Sequence, residues 1–292
     1  MEAPPVPADA HWLHDLNEPQ LEAVQHVHGP LLVVAGAGSG KTRVLTRRIA
    51  HLLNDVSAGG HPHARPQEIL AITFTNKAAG EMRERVAALV GPVAMKMWVS
   101  TFHSACVRIL RANADRLGYP RTFSIYDQAD AQRLTGYVIR DLGLDAKRFT
   151  PRGVHGIISL WKNELVTPDD AATKANNIFD RKHAEVYREY QLRLHRAGAM
   201  DFDDLLMPTV ELFRHHPDVL ASYQQRFRHI LIDEYQDTNM AQNELAVLLA
   251  KDTGEITAVG DSDQCLPWGT VVRSSSGSIP RRSATIIDQL VS

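Results

Sequence analysis

Residues 35–42, with the sequence AGAGSGKT, combine closely spaced glycines with a lysine and a threonine in a pattern that suits phosphate binding. Glycines let the backbone curl until its amide groups face phosphate oxygens, and the N-terminus of a following helix adds a favourable dipole. The lysine of such a loop reaches the β- and γ-phosphates, and the threonine hydroxyl binds Mg²⁺. The first position departs from the usual pattern, because alanine replaces glycine there. We therefore predict a nucleotide-binding loop made of Ala35, Gly36, Ala37, Gly38, Ser39, Gly40, Lys41, Thr42 and Arg43.

Two adjacent acids, Asp233 and Glu234, follow the apolar run ILI much later in the chain. Taken alone, such a pair is more often a solvated strand end. A buried parallel strand, however, delivers its last residues to the same sheet edge as a phosphate loop. One carboxylate there holds Mg²⁺ and its neighbour polarises the attacking water. We predict that Thr42 and Asp233 are metal ligands, that Glu234 is the catalytic base and that Lys41 is also catalytic.

The apolar patterning around these groups predicts an α/β fold. Short apolar runs bounded by turn residues predict strands, and apolar positions at helical spacing predict helices over residues 41–53 and 77–89. Strands that alternate with helices indicate a doubly wound parallel sheet, whose ligands bind at the C-terminal ends of the strands. The predicted strands are residues 31–34, 69–73, 97–101, 229–232 and 256–259.

The middle of the chain, from about residue 104 to residue 199, lacks strand signals and shows successive amphipathic helical patterns. We interpret it as an all-helical subdomain inserted into the α/β domain. The first residues are rich in proline and alanine, which predicts a disordered tail. The predicted domains are a tail over 1–12, the α/β domain over 13–105 and 200–264, the helical insert over 106–199 and a second tail over 265–292.

The composition is that of an ordinary globular protein, with 44% hydrophobic residues, 23% charged residues and a formal net charge of −2. Nucleic acid would therefore have to bind through a local groove rather than through a global basic field. The two cysteines, Cys106 and Cys265, make no disulfide framework, and no Cys/His metal-ligand spacing is apparent. The N-terminus has no signal-peptide pattern and no apolar run spans a membrane, so we expect a cytoplasmic protein.

Six strings of residues decide which class of phosphate-loop protein this is. They are LNEPQ at 16–20, TFTNKAA at 73–79, VSTFHS at 99–104, DFDDLL at 201–206, DEYQDTN at 233–239 and VGDSDQ at 259–264. In this order, they resemble the motifs of superfamily 1 DNA helicases of the UvrD/PcrA/Rep group. The proline of LNEPQ falls one place later than is usual in that group. The resemblance implies a RecA-like α/β fold.

The resemblance implies further roles at the nucleotide. Gln20 would pair its amide with the edge of adenine and so select ATP. Gln236 and Gln264 would lie near the γ-phosphate, position water and report hydrolysis to the DNA side. Without the resemblance, these glutamines would be interpreted as surface residues on loops.

DNA contacts are predicted from Phe74, Asn76, Phe102 and His103, because single strands bind to aromatic faces beside polar groups. Core packing is the alternative for the two phenylalanines. The basic residues of the helical insert are more simply explained as a solvated face than as contacts to the phosphates of duplex DNA. These residues are Arg108, Arg111, Arg116, Lys162 and Arg181.

The resemblance ends after Gln264, where the sequence continues CLPWGTVV. One interpretation is that an intein begins here, with Cys265 as its splice-junction nucleophile. The other is a frameshift or gene fragment whose last residues encode nothing. On either interpretation we expect the family's second RecA-like domain, and the arginines it supplies, to be absent from this chain.

The resemblance implies an ATP-dependent helicase that translocates 3′→5′, with ATP and Mg²⁺ as cofactors and single-stranded DNA and single-strand/duplex junctions as partners. An alternative is a catalytically impaired module that binds nucleotide and DNA, since a missing arginine costs roughly 10³-fold or more in phosphoryl transfer. A nuclease-fused helicase of the AddA/RecB type uses similar motifs, but no nuclease segment supports it here.

Overall fold

A computed structural model describes residues 10–36, 38–55 and 62–261, together with the backbone of residues 285–288. The chain divides into two compact units. We call the first the sheet unit (Met1–Phe102, Leu220–Thr238 and Ala246–Ser292) and the second the helical unit (His103–Val219 and Asn239–Leu245). Within the described ranges, none of the helices combines the length and the apolar character that a membrane crossing needs.

The sheet unit is built on six parallel strands, which confirms the predicted α/β class. The strands are β1 (Leu31–Val34), β2 (Ile69–Thr73), β3 (Trp98–Thr101), β6 (His229–Ile232), β7 (Ile256–Gly260) and β8 (Thr285–Asp288). Their order in the sheet is β3-β2-β6-β7-β1-β8. The first five are short and apolar, as strands buried on both faces are. Because all six run the same way, the residues that follow β1, β2, β6 and β7 meet at one edge.

Three helices of the sheet unit, α1 (Glu18–Gln25), α2 (Lys41–Asn54) and α3 (Asn76–Val90), share one apolar core with the strands. The buried side chains of α2 recur at helical spacing, as in Val44, Leu45 and Ile49. Trp12 belongs to the same core. The predicted tail over residues 1–12 is therefore too long at its C-terminal end. Trp12 is part of the folded core, because burying its large indole ring removes apolar surface from water.

The helical unit has its own core, formed by residues such as Val138, Ile158 and Tyr190. A short parallel pair of strands, β4 (Ser124–Ile125) and β5 (Ala199–Met200), lies within it. The helices are α4 (Phe102–Asn113), α5 (Gln128–Asp141), α6 (Pro151–Asn163), α7 (Pro168–Lys174), α8 (Ile178–Arg196), α9 (Met207–His215), α10 (Pro217–Arg226) and α11 (Met240–Ala250).

The limits of the helical unit differ from the predicted insert over residues 106–199. The unit begins at His103, ends its main segment at Val219 and includes the short segment Asn239–Leu245. Residues after 200 belong to it because the buried carboxylate of Asp201 is held by Lys162 of α6. Periodicity in the sequence marks where helices start, but it does not show which core a helix joins.

Candidate active site

The phosphate loop connects β1 to α2, and two of its glycines have backbone angles that favour glycine. Gly38 and Gly40 have φ angles of +78° and +86°, which residues with a side chain rarely adopt. A Cβ on Gly40 would also lie only 3.2 Å from Nε2 of Gln20. Ala35 still follows the strand, and its N–H donates to the carbonyl of Gly260 at 3.1 Å. The alanine at the first loop position therefore fits, and Ala37 lies outside the described residues.

Polar residues that follow three different strands meet at this loop. The hydroxyl of Thr42 donates to Oδ2 of Asp233 at 3.4 Å, although 191 positions separate the two residues. The Nζ of Lys41 donates to the carbonyl of Ala35 at 3.0 Å and lies 3.6 Å from Oδ2 of Asp261. The parallel sheet thus brings the predicted lysine and both predicted metal ligands together. Asp261, which follows β7, is a member of the site that the sequence analysis had not singled out.

Glu234, the predicted base, has a left-handed backbone with φ +51° although it is not glycine. Such conformations cost free energy and concentrate at functional sites. Its Oε2 accepts a hydrogen bond from Nε2 of Gln236 at 2.7 Å. The amide oxygen of Gln236 in turn accepts from the N–H of Asp261 at 3.0 Å. Gln236 therefore ties the carboxylate of Glu234 to the end of β7, the strand that leads toward Gln264, which lies outside the described residues.

A cleft of about 450 Å³ opens over the loop. It continues into a second cleft of about 520 Å³ that reaches Phe74. Arg85 of α3 lines both clefts and places a cation beside the phosphate loop, a role that its position in a helical pattern could not reveal. The first cleft is lined by Gly38, Gly40, Lys41, Thr42, Arg43, Arg85, Glu234 and Asp261.

Burial and the neighbouring Glu234 carboxylate both raise the pKa of Asp233. A divalent cation beside Asp233 would lower this pKa again, because it favours the charged carboxylate. The hydroxyl of Ser39 is buried and has no hydrogen-bond partner among the described residues. Thr42 and Asp233 offer the oxygen ligands that Mg²⁺ prefers. The residues present therefore fit a nucleotide with its Mg²⁺ ion.

Gln20 lies at the third position of α1 and supports the phosphate loop from outside. Its Nε2 donates to the carbonyl of Ser39 at 3.1 Å, and its Oε1 accepts from the N–H of Asn17 at 3.3 Å. Asn17 caps the helix in return, and a proline at the helix start is well tolerated there. The late proline of the LNEPQ string is thus compatible with a normal cap. Adenine selection by Gln20 stays a prediction.

The four predicted DNA-binding residues differ in their exposure. Phe74 follows β2 and is 60% exposed, and Asn76, the first residue of α3, is also exposed. Phe102 is only 7% exposed, so its ring offers no face to a base in this structure. Core packing, the alternative considered for Phe102, describes its position better. His103 is half-buried, and its ring centroid lies 4.6 Å from that of Phe202.

Lys162 is neither part of a solvated basic face nor available to DNA, because it is wholly buried in the helical unit. Its Nζ lies 2.7 Å from Asp201 and 2.8 Å from Asp204. Burial disfavours the ammonium, but the two carboxylates outweigh burial and raise the pKa of Lys162. Two residues of the DFDDLL string are thus explained as the partners of a buried lysine.

The neighbouring Asn163 connects two of the family-like strings. Its Nδ2 donates to Oδ1 of Asp203 at 3.1 Å, and its Oδ1 accepts from the amide of Asn239. Asn239 is the last residue of the DEYQDTN string. Within the helical unit, Asn163 therefore joins the end of that string to the DFDDLL string.

A parallel α/β sheet, a phosphate loop after its first strand and an acidic pair after a neighbouring strand define a P-loop nucleoside triphosphatase. Comparison with known families refines this class. Residues 16–266 match the profile described as UvrD/REP helicase N-terminal domain. The chain belongs to this helicase family.

Several relatives are similar to this chain over most of its length. The ATP-dependent DNA helicase PcrA of Staphylococcus epidermidis is 51% identical over 252 residues, which cover 86% of this chain and 34% of the relative. The protein of the same description from Bacillus subtilis is 46% identical over 282 residues, which cover 95% of this chain and 37% of the relative. The chain thus spans about a third of the length of the relatives that it matches.

Proposed function

We propose that this chain is the ATP-binding N-terminal part of a DNA helicase that translocates 3′→5′ along single-stranded DNA. The observation that carries the proposal is the meeting of Lys41, Thr42 and Asp233 at the phosphate loop. The exposed Phe74 lies in a cleft continuous with that loop, which gives DNA a route to influence the nucleotide. The relatives described as ATP-dependent DNA helicases support the same activity. Because the relatives are longer, the full reaction belongs to the whole protein.

The chemistry follows from the positions of the side chains. Thr42 and Asp233 would hold Mg²⁺, which when bound neutralises charge on the phosphate oxygens. Lys41 stabilises the negative charge that develops on the γ-phosphate. Glu234 accepts the proton of the water that attacks the γ-phosphorus, and ADP leaves with the electrons of the broken P–O bond. Gln236 is placed to pass the state of Glu234 to the end of β7.

On the DNA side, the proposed partners are single strands and single-strand/duplex junctions. An exposed ring such as that of Phe74 stacks on any base, which suits movement along DNA without regard to sequence. We propose a cytoplasmic location, because bacterial chromosomal DNA lies in the cytoplasm.

Phe74→Ala is expected to weaken single-strand binding roughly 5- to 150-fold, because stacking on one base contributes about 1–3 kcal/mol. The measurement is fluorescence anisotropy of a labelled oligonucleotide, with ATP hydrolysis followed in parallel with and without the oligonucleotide. The wild-type chain should hydrolyse ATP faster when the oligonucleotide is present.

Phe179→Ala provides a matched control, because Phe179 is an exposed phenylalanine of the helical unit. It should leave the affinity for DNA within about 2-fold of wild type. Unchanged affinity in Phe74→Ala, with ATP hydrolysis intact, would contradict the stacking role. Tight binding of nucleotide and DNA without hydrolysis would instead favour the impaired binding module.

A further inference from the structure

The end of α2 farthest from the phosphate loop carries a cluster of side chains that the ATP site does not use. His51 and Asp55 lie one helical turn apart, and His63 returns to them from the segment that precedes β2. One ligand atom from each residue lies within 4.8 Å of the other two. Elsewhere in the described ranges, no other three histidine, cysteine or acidic side chains meet in this way. We propose that His51, Asp55 and His63 bind a divalent cation of the zinc class.

The distances fit a bound cation, although His63 and Asp55 are also within hydrogen-bond distance of each other. Nε2 of His51 lies 3.4 Å from Oδ2 of Asp55, and Nε2 of His63 lies 3.3 Å from the same oxygen. Hydrogen bonds between imidazole and carboxylate are normally about 2.7–2.9 Å when charge assists them. In a tetrahedral zinc site with bonds of about 2.0–2.1 Å, neighbouring ligand atoms are about 3.3–3.4 Å apart. Two of the three distances between the ligand atoms therefore match those of a zinc site.

The cluster is held in place by the fold itself. The i,i+4 spacing puts His51 and Asp55 on one face of α2. Nearby, the N–H of Ala64 donates to the carbonyl of Leu52 at 2.9 Å, which pins the returning chain against the helix. His63 is the residue just before Ala64, so this backbone contact sets its position. The backbone of α2 and of the returning chain therefore brings the three side chains together.

The chemistry of the donor atoms selects the cation. Two imidazoles and one carboxylate suit zinc or a similar borderline ion better than Mg²⁺ or Ca²⁺, which prefer oxygen ligands. The Nδ1 of His51 is buried and has no hydrogen-bond partner among the described residues. When Nε2 binds a cation, the proton lies on Nδ1, and the cation must offset the cost of that unsatisfied donor. Three protein ligands leave a fourth position for water.

A buried arginine lies close to the cluster. Arg48, one turn before His51, is a buried cation and opposes a second positive charge. Its guanidinium, however, donates to the carbonyl of Ala23 and to the hydroxyl of Thr257, and Glu255 offsets its charge. Asp55 is itself buried, and a bound cation would add to the partners that it already has. A bound cation would fasten the last turn of α2, the helix that begins at Lys41, to the chain that enters β2.

The test is metal binding to the whole chain, stripped with EDTA, freed of any affinity tag and kept in millimolar Mg²⁺ to fill the ATP site. Co²⁺ should give the intense visible absorption of a tetrahedral site at one equivalent, and Zn²⁺ should displace it. His63→Gln should weaken Zn²⁺ binding by at least about 100-fold, because loss of an outer partner alone costs 10- to 100-fold. Asp55→Asn should weaken Zn²⁺ binding to a similar extent. With two variants, the test still decides if one of them fails to fold.

His28→Gln is the matched control. The His28 ring centroid lies 6.3 Å from that of His63, but its side chain is highly exposed and it is not among the three ligands. It should keep the wild-type Zn²⁺ affinity within about 2-fold. The proposal is overturned if the wild-type chain gives no Co²⁺ spectrum and no Zn²⁺ binding at 100-fold molar excess. It is also overturned if folded His63→Gln and Asp55→Asn bind Zn²⁺ as tightly as wild type.

Discussion

Glu234→Gln is expected to lower the rate of ATP hydrolysis by roughly 10²- to 10⁴-fold, the usual contribution of a general base. Glutamine keeps the size of the side chain and an oxygen that can accept from Gln236, but it cannot take a proton from water. Nucleotide binding should persist, because Lys41 and Thr42 are unchanged. The measurement is single-turnover hydrolysis with the chain in excess over ATP and with saturating single-stranded DNA.

Glu185→Gln is the control for this experiment, because Glu185 is an exposed glutamate of the helical unit. Its hydrolysis rate should match that of the wild-type chain. A Glu234→Gln rate within about 5-fold of wild type would show that another group acts as the base, since a base contributes at least about 10²-fold.

Lys162→Met is expected to lower the free energy of unfolding by about 3–5 kcal/mol, the usual cost of removing one partner of a buried ion pair. Methionine fills much of the same space, but it leaves Asp201 and Asp204 buried beside each other without a cation. Tyr190 donates to Asp201 at 2.7 Å and Gln191 donates to Asp204 at 3.0 Å, so part of the network remains. Urea denaturation followed by circular dichroism measures the loss.

Lys182→Met is the matched control for the buried lysine. Lys182 also forms an ion pair at 2.8 Å, with Glu185, but its side chain is 38% exposed. Exposed pairs contribute about 0–1 kcal/mol, so this variant should lose little stability. Adding Asp201→Asn and Asp204→Asn to Lys162→Met should recover part of the loss, because the uncompensated charges disappear. Equal losses for Lys162→Met and Lys182→Met would contradict the account of the network.

Much of the sheet unit was predictable because its signals are local. The apolar runs before Ala35 and Asp233 are short, bounded by turn residues and buried on both faces, so they are hard to mistake for surface segments. Parallel strands share an edge, and that geometry alone brought Thr42 to Asp233. The predicted contact followed from topology rather than from any feature of the residues between them.

The remaining features depend on tertiary contacts that no short pattern encodes. Phe74 and Phe102 both follow a strand, yet one is exposed and the other buried. Lys162 lies on a helix among other basic residues, and only the fold shows that Asp201 and Asp204 surround it. The differing limits of the helical unit have the same origin.

The His51, Asp55 and His63 cluster escaped prediction for a related reason. Its ligands combine the end of a helix with a returning segment and include an aspartate, so no familiar cysteine or histidine spacing appears. The intein interpretation of Cys265 falls outside the described residues and stays a prediction. Of the tail beyond it, only the backbone of β8, which pairs with β1, is described.

Equilibrium binding of a fluorescent ATP analogue, with and without Mg²⁺, tests the central claim most directly. The wild-type chain should bind the analogue more tightly when Mg²⁺ is present. Lys41→Ala should weaken binding roughly 10- to 150-fold, because a charged hydrogen bond contributes about 1.5–3 kcal/mol. Lys147→Ala, which removes an exposed lysine of the helical unit, should bind as wild type does. Wild-type affinity in Lys41→Ala would contradict the assignment of this loop as the ATP site. Equal affinity of the wild-type chain with and without Mg²⁺ would contradict it as well.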